Sequence, residues 1–251
     1  MIPDIVALVP IKLESIRVPG KNIRNLGGKP LCQYILETLV EVKRQGHIKR
    51  VCVYCSSPEI KKYLIPGVEL IIRNPCLDGP HVQGMEIYNS FRESVPATWY
   101  LLCHTTSPFL RKETIINAVK TVVYCHGERM EENKVKNFDS AMTVSRIKTF
   151  AWFNRSPLNY RPELGIPQTQ TLSPVIWETS GLYLFQGSLL EKGTRIGASP
   201  YMIMVDCQES VDIDTEDDWK LAEAFLIQSR MKSLGLSSPH DYPSQSLLYQ
   251  S

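Results

Sequence analysis

Two groups of residues have the types and spacing that do chemistry, and they lie far apart in the chain. Near its start, Lys12, Ser15, Arg17, Lys21, Asn22 and Arg24 crowd into one loop bent by Pro19 and Gly20. Lys and Arg supply positive charge, and a loop that runs into a helix start supplies free backbone N–H donors, which together suit a phosphate. The same composition also fits a solvated basic turn, and the spacing is not that of Walker A, because no Gly-x-x-x-x-Gly-Lys-Ser/Thr occurs. Near the end stands Asp212-Ile213-Asp214. Residues two apart on an extended segment point the same way, and neighbouring carboxylates repel unless a proton or cation lies between them. A hard cation such as Mg²⁺ answers that repulsion and commonly brings substrate phosphates with it. Glu216, Asp217 and Asp218, just beyond, read instead as complements to a helix N-terminus, with Thr215 its cap.

Weaker signals lie between. His104-Thr105-Thr106-Ser107 follows an apolar run, so its polar groups emerge at a strand end. His104 reads either as a donor to a substrate hydroxyl or carboxylate, or as a histidine satisfied by backbone. Arg73 and Asn22 carry donors suited to the edge of a base, though nothing in their spacing says that they converge. Cys52-x-x-Cys55 invites a redox or zinc site, but it sits inside a strand pattern with no second Cys or His pair to complete it. The seven cysteines read as buried, reduced thiols.

The elements that must hold these groups follow from periodicity. Ile5 to Val9, bounded by Pro3 and Pro10, predicts a strand buried on both faces. A helix over 30–44 has Leu31, Tyr34, Ile35, Thr38, Leu39 and Val42 on one face. Strands are expected at 50–55, 68–72 and 99–103, with helices over 82–91 and 112–124 between and after them. Alternating strands and helices imply a parallel sheet with right-handed crossovers, and ligands of such sheets bind at the carboxyl ends of the strands. The second half is less regular. Residues 127–137 are charged and apolar-poor, as in a surface loop; strands are expected at 140–144, 175–185 (interrupted at Ser180-Gly181) and 201–205. A final helix presents Trp219, Leu221, Ala222, Phe225 and Leu226, and a Ser/Pro-rich tail reads as poorly ordered. The domain is taken as residues 1–229, with 146–174 an inserted arm carrying Trp152, Phe153 and Tyr160, and 230–251 the tail.

Composition excludes several classes. A length of 251 residues fits one large α/β domain, and a net charge of +2 gives no broad nucleic-acid footprint. No apolar run approaches the ~20 residues that a membrane helix needs. Met1-Ile-Pro-Asp4 lacks the basic and apolar regions of a secretory signal, so the cytoplasm is the expected compartment.

Taken together the motifs resemble the acylneuraminate (CMP-sialic acid) cytidylyltransferase family. The resemblance rests on Ser15-Ile-Arg17-Val-Pro19-Gly-Lys21-Asn22-Ile23, Leu26-Gly-Gly28-Lys29-Pro30-Leu31, His104-Thr-Thr-Ser-Pro108, Gln170-Thr-Leu-Ser-Pro174, Ser180-Gly-Leu-Tyr183, Arg195-Ile-Gly197 and Val211-Asp-Ile-Asp214. It implies a Rossmann-like nucleotidyltransferase fold, a mostly parallel sheet flanked by helices. It also implies CTP as a substrate, with CMP passing to a 2-keto sugar acid, sialic acid or a related nonulosonate, as pyrophosphate leaves. Carried over by position, Lys12, Ser15, Arg17 and Lys21 hold the triphosphate, and Asn22 and Arg73 contact the cytidine. Asp212 and Asp214 hold Mg²⁺, with Lys21, Asp212 and Asp214 at the reacting phosphorus, and His104, Gln170 and Tyr183 face the sugar. A homodimer through the arm is also implied.

The chain departs from the family pattern where Ala-Arg-Gly-Gly becomes Ile11-Lys12-Leu13-Glu14, and where an Arg before the Gln becomes Gln168. Lys keeps the charge and loses the bidentate fork, and Glu14 adds a negative charge beside a phosphate loop. A nucleotide-binding relative of low or no activity, acting as a sensor or partner, and a transferase using another sugar acid or nucleotide remain alternatives.

Overall fold

The structure is a computed structural model, which describes residues 2–15, 17–124 and 138–235. Its strands are β1 (Ile5–Pro10), β2 (Arg50–Cys55), β3 (Glu69–Ile72), β4 (Trp99–Cys103), β5 (Ser140–Ile147), β6 (Val175–Gln186) and β7 (Pro200–Met204). They form one sheet of seven strands in the order β7-β5-β6-β4-β1-β2-β3. The pairs β1–β2, β2–β3, β1–β4 and β5–β7 are parallel, and β6 runs antiparallel to both β4 and β5. The helices are α1 (Leu31–Arg44), α2 (Gly84–Ser94), α3 (Lys112–Val119), α4 (Gly187–Glu191) and α5 (Glu216–Ser233).

Alternation along β1 shows why it is central. Ile5, Ala7 and Val9 enter one core with α1 and α3, while Val6 and Leu8 enter the other with Tyr88 and Phe91 of α2. A strand covered on both faces has no polar side, which is why its sequence is a continuous apolar run. The chain leaves β1 towards β2 and β3 on one side and returns to β4 on the other. That reversal opens a crevice outside the carboxyl ends of β1 and β4.

A third core ties the end of the chain to its beginning. Val18, Leu26 and Leu31 pack with Val211, Ile213, Trp219 and Ala222. Arg24 lies 4.2 Å from the Trp219 ring and pairs with Glu216 at 2.6 Å. A small hairpin of Asn25–Leu26 and Lys29–Pro30 turns through Gly27 and Gly28, both at positive φ, as a tight two-residue turn requires. These contacts seat the start of α5 beneath the basic loop.

Several expectations shift. The helix expected over 112–124 ends at Val119 and continues as a wider turn over Lys120–Tyr124. Leu221 does not join the apolar face of α5; it is exposed, and Trp219 and Ala222 carry the packing. That helix runs to Ser233, past the expected end of the domain at 229. The rest of the tail from 236, and the loop at 127–137, lie outside the described residues. The arm contains a hairpin of Trp152–Phe153 and Ser156–Pro157, with Trp152, Phe153, Leu164 and Ile166 exposed. Cys52 and Cys55 are buried free thiols, and burial pushes Cys52 up to about 11, whereas Cys76 and Cys207 are exposed, against the expectation of burial. Among the described residues no helix is long and apolar enough to cross a membrane.

Candidate active site

The basic loop and the acidic segment meet. Lys21 opens a short 3-10 turn after β1 and is only 8% exposed. Its Nζ donates to the Ile213 carbonyl at 2.6 Å and to Asp214 Oδ1 at 3.0 Å, across 192 and 193 positions of sequence. Arg17, exposed at the mouth, reaches the same carboxylate oxygen at 3.0 Å. Ile213 is fully buried, and its N–H donates to the Thr106 carbonyl at 2.8 Å. The Asp-Ile-Asp segment is therefore pinned from two sides, by the loop after β1 and by the loop after β4. The cap of α5 fixes the third side, since Asp218 accepts from the backbone N–H of Asp214 at 3.1 Å and of Thr215 at 2.8 Å.

The two acids differ in surroundings. Asp214 is balanced by two cations. Asp212 is held above the usual carboxylate range, first by burial, against a hydrogen bond from Thr106. Its Oδ1 is sealed from solvent with no hydrogen-bond partner among the described residues. An orphaned carboxylate oxygen costs free energy until something occupies it. No group of three His, Cys, Asp or Glu gathers among the described residues. Two carboxylates nonetheless suit Mg²⁺, which is commonly bound by one or two of them together with substrate phosphates.

The residues expected at the base are engaged inside the protein. Asn22 donates to the Lys12 carbonyl at 2.7 Å and accepts from the Thr105 hydroxyl at 2.5 Å. Arg73, 2% exposed, donates to the carbonyls of Ile11 and Tyr54 and to Asp78 at 3.1, 3.3 and 2.5 Å. Both therefore brace the loop, and neither turns an open edge outward. Lys12 donates to the Asp78 carbonyl at 2.5 Å. Lys12, Arg73 and Asp78 line a cavity of about 220 Å³ with Pro10, Leu77, Gly79 and Val82, so Lys12 and Arg73 share the space next to β1. Ser15 is half-buried, Leu13 packs against the core, and Glu14 is exposed.

The residues expected at the sugar separate. His104 follows β4; burial, with the Arg195 charge next in effect, holds its imidazole down to about 4. Its Nε2 is sealed from solvent and has no hydrogen-bond partner among the described residues. Tyr183 is 1% exposed, and its hydroxyl donates to Glu178 at 2.6 Å; burial and that carboxylate push it up to about 12. Gln170 lies exposed on the arm, where its carbonyl accepts from Lys148 at 3.0 Å. Nothing brings it to His104. A second cavity of about 280 Å³ joins Glu178 and Thr179 of β6 to Asp212 and Asp218.

Sequence reasoning gave no role to three groups that build this edge: Thr106, Asp78 and Glu178. Thr106 lies in a motif already singled out, but its task is done by a backbone carbonyl, which no side-chain pattern reports. Comparison with known proteins fits this geometry. The model of the cytidylyltransferase family matches residues 6–216. The chain belongs to the cytidylyltransferase family. The N-acylneuraminate cytidylyltransferase of Oncorhynchus mykiss is 26% identical over 246 residues, covering 94% of this chain and 52% of that protein. A 3-deoxy-manno-octulosonate cytidylyltransferase of Chlorobium luteolum is 32% identical over 221 residues, covering 81% of each. The chain spans about half the length of the first curated relatives it matches. Among solved structures, a CMP:2-keto-3-deoxy-manno-octonic acid synthetase complexed with CTP superposes with a TM-score of 0.64 at 14% identity, over 90% of this chain and 99% of that one. The expected Rossmann-like nucleotidyltransferase fold and the expected family therefore hold.

Proposed function

We propose that the protein transfers CMP from CTP to a 2-keto sugar acid, sialic acid or a related nonulosonate, and releases pyrophosphate. The observation that carries this reading is the contact of Lys21 with Ile213 and Asp214, which brings the basic loop and the two acids to one crevice. The names of the relatives support an acid acceptor: one acts on an N-acylneuraminate, another on a 3-deoxy-manno-octulosonate.

In this reading the sugar hydroxyl attacks the α-phosphorus of CTP, and the bond to pyrophosphate breaks. Lys21, Arg17, Lys12 and Ser15 face the phosphates, where preorganised cations offset charge that grows as pyrophosphate departs. Asn22 and Arg73 hold the loop that walls the base site. Asp212 and Asp214 would hold Mg²⁺, which when bound supplies charge stabilisation at the reacting phosphorus. His104, kept neutral by burial, and Tyr183 back the sugar side from beneath, while Gln170 stands apart on the arm. The exposed apolar residues of the arm support a homodimer, a state that light scattering tests.

The deciding experiment measures pyrophosphate release with CTP, Mg²⁺ and a panel of sialic, legionaminic, pseudaminic and 3-deoxy-octulosonic acids, with UTP and GTP as competitors. Turnover of at least one acid, with CTP preferred, is expected. Folded protein that turns over none of them overturns the reading. One observation favours the alternative of a binding-only relative: Glu14 places a carboxylate in the exposed phosphate loop. Calorimetry with CTP and Mg²⁺ beside the turnover assay separates the two, because that relative binds without turning over.

A further inference from the structure

The guanidinium groups around the crevice differ in how their charge is met. Arg17 pairs with Asp214, Arg24 with Glu216 and Arg73 with Asp78. Arg195, on the segment between α4 and β7, pairs with no acid among the described residues. Its guanidinium carbon lies over the Tyr183 ring, 3.6 Å from the centroid. One nitrogen donates to the Tyr88 hydroxyl at 3.0 Å. Glu178, the carboxylate that takes the Tyr183 hydroxyl, makes no ion pair with Arg195. The side chain is half-buried, yet unlike Arg73 none of its nitrogens is sealed without a partner. A stacked guanidinium keeps its in-plane N–H edge free, and that edge matches the two oxygens of a carboxylate.

Its location adds to this. The ring beneath it, Tyr183, donates its hydroxyl to Glu178, and Glu178 lines the cavity of about 280 Å³ that also holds Asp212, so this arginine is tied to the wall of that cavity. In a 2-keto sugar acid the carboxylate is bonded to the same carbon as the anomeric hydroxyl. Whatever holds that carboxylate must stand beside the reacting oxygen, not at the far end of the sugar. We propose that Arg195, seated on Tyr183 and tied to Tyr88, anchors the carboxylate of the acid substrate. The anchor selects acids over neutral sugars and aims the anomeric hydroxyl at the phosphate corner. It rests on the proposed transfer to a sugar acid and names the group that recognises the acid.

The test uses Arg195→Gln and Arg195→Lys with CTP, Mg²⁺ and the best acid of the panel, together with the neutral amide of that acid. For Arg195→Gln the KM for the acid rises about 10- to 100-fold, the range for hydrogen bonds to a charged group. The preference of wild type for acid over amide collapses, while CTP affinity by calorimetry stays within about 2-fold, as this residue is not among those proposed to face the phosphates. Arg195→Lys, which keeps the charge and loses the fork, falls between the two; it carries the test if the Gln variant fails to bind CTP. An unchanged KM together with an unchanged acid-over-amide preference overturns the inference while leaving the transfer reading intact. If wild type turns over no acid, that reading fails and the inference falls with it, a pattern distinct from the first.

Discussion

The phosphate corner and the sugar side of the same crevice are built in opposite ways. At the corner most charges are met before any ligand arrives: Lys21 and Arg17 meet Asp214, Ile213 is clamped by Lys21 and Thr106, and of the acidic pair only Asp212 Oδ1 is sealed without a partner among the described residues. On the sugar side polar groups are left unpaired: among the described residues His104 Nε2, sealed from solvent, has no partner and Arg195 has no counter-ion. A largely paired network is rigid, and in the proposed transfer it suits the constant part of the reaction, the triphosphate. Open groups on an aromatic shelf suit the part that varies between relatives, the acid. The difference teaches that substitutions at the corner should cost rate, and those on the sugar side should cost selectivity.

The largest effect is expected at the corner. Asp214→Asn keeps an acceptor for Lys21 and removes the charge, so pyrophosphate release falls by about 100- to 1,000-fold, the order seen when one transition-state electrostatic contact is lost. Circular dichroism stays unchanged. Undiminished rates in that variant would make the acidic pair a helix-start feature only. Next comes the brace. Arg73→Met leaves Asp78 and two carbonyls without their donor, and urea unfolding should show a loss of about 3 kcal/mol, within the range for breaking a buried ion pair. A loss below about 0.5 kcal/mol would contradict the bracing role.

A smaller effect concerns His104. Its imidazole titrates near 4 when folded, against the ordinary 6.5. Below pH 6.5 the unfolded chain binds a proton that the folded one refuses, so this group's contribution is present above 6.5 and is lost as pH falls towards 4. His104→Gln should therefore flatten the stability profile in that window, read by denaturant unfolding at several pH values. Parallel profiles for variant and wild type would show that the imidazole is freely solvated.

Much of this was legible in the sequence, for identifiable reasons. Strands 50–55 and 99–103 were readable because burial on both faces leaves an uninterrupted apolar run, and Thr215 because its capping hydrogen bonds are local. The antiparallel β6 was not, since strand direction is set by its neighbours and leaves little trace in side chains. The irregularity at Ser180-Gly181 was visible, and it appears as a register shift between Glu178 and Tyr183, with Ser180 at a φ of 59°. The meeting of Lys21 with the acidic segment was implied by the family resemblance, since no local pattern joins groups so far apart in the chain. The inward turn of Asn22 and Arg73 was not, because it depends on backbone carbonyls at the ends of β1 and β2 that no residue type announces.

The central claim, that Lys21 and the Asp212–Asp214 segment form one triphosphate site, is tested most directly by calorimetric titration of CTP with Mg²⁺ into wild type and Lys21→Met. Wild type should bind, and the variant, still folded by circular dichroism, should lose about 10- to 100-fold in affinity, the order of one charge-assisted contact. Equal affinity in the two proteins would contradict the account.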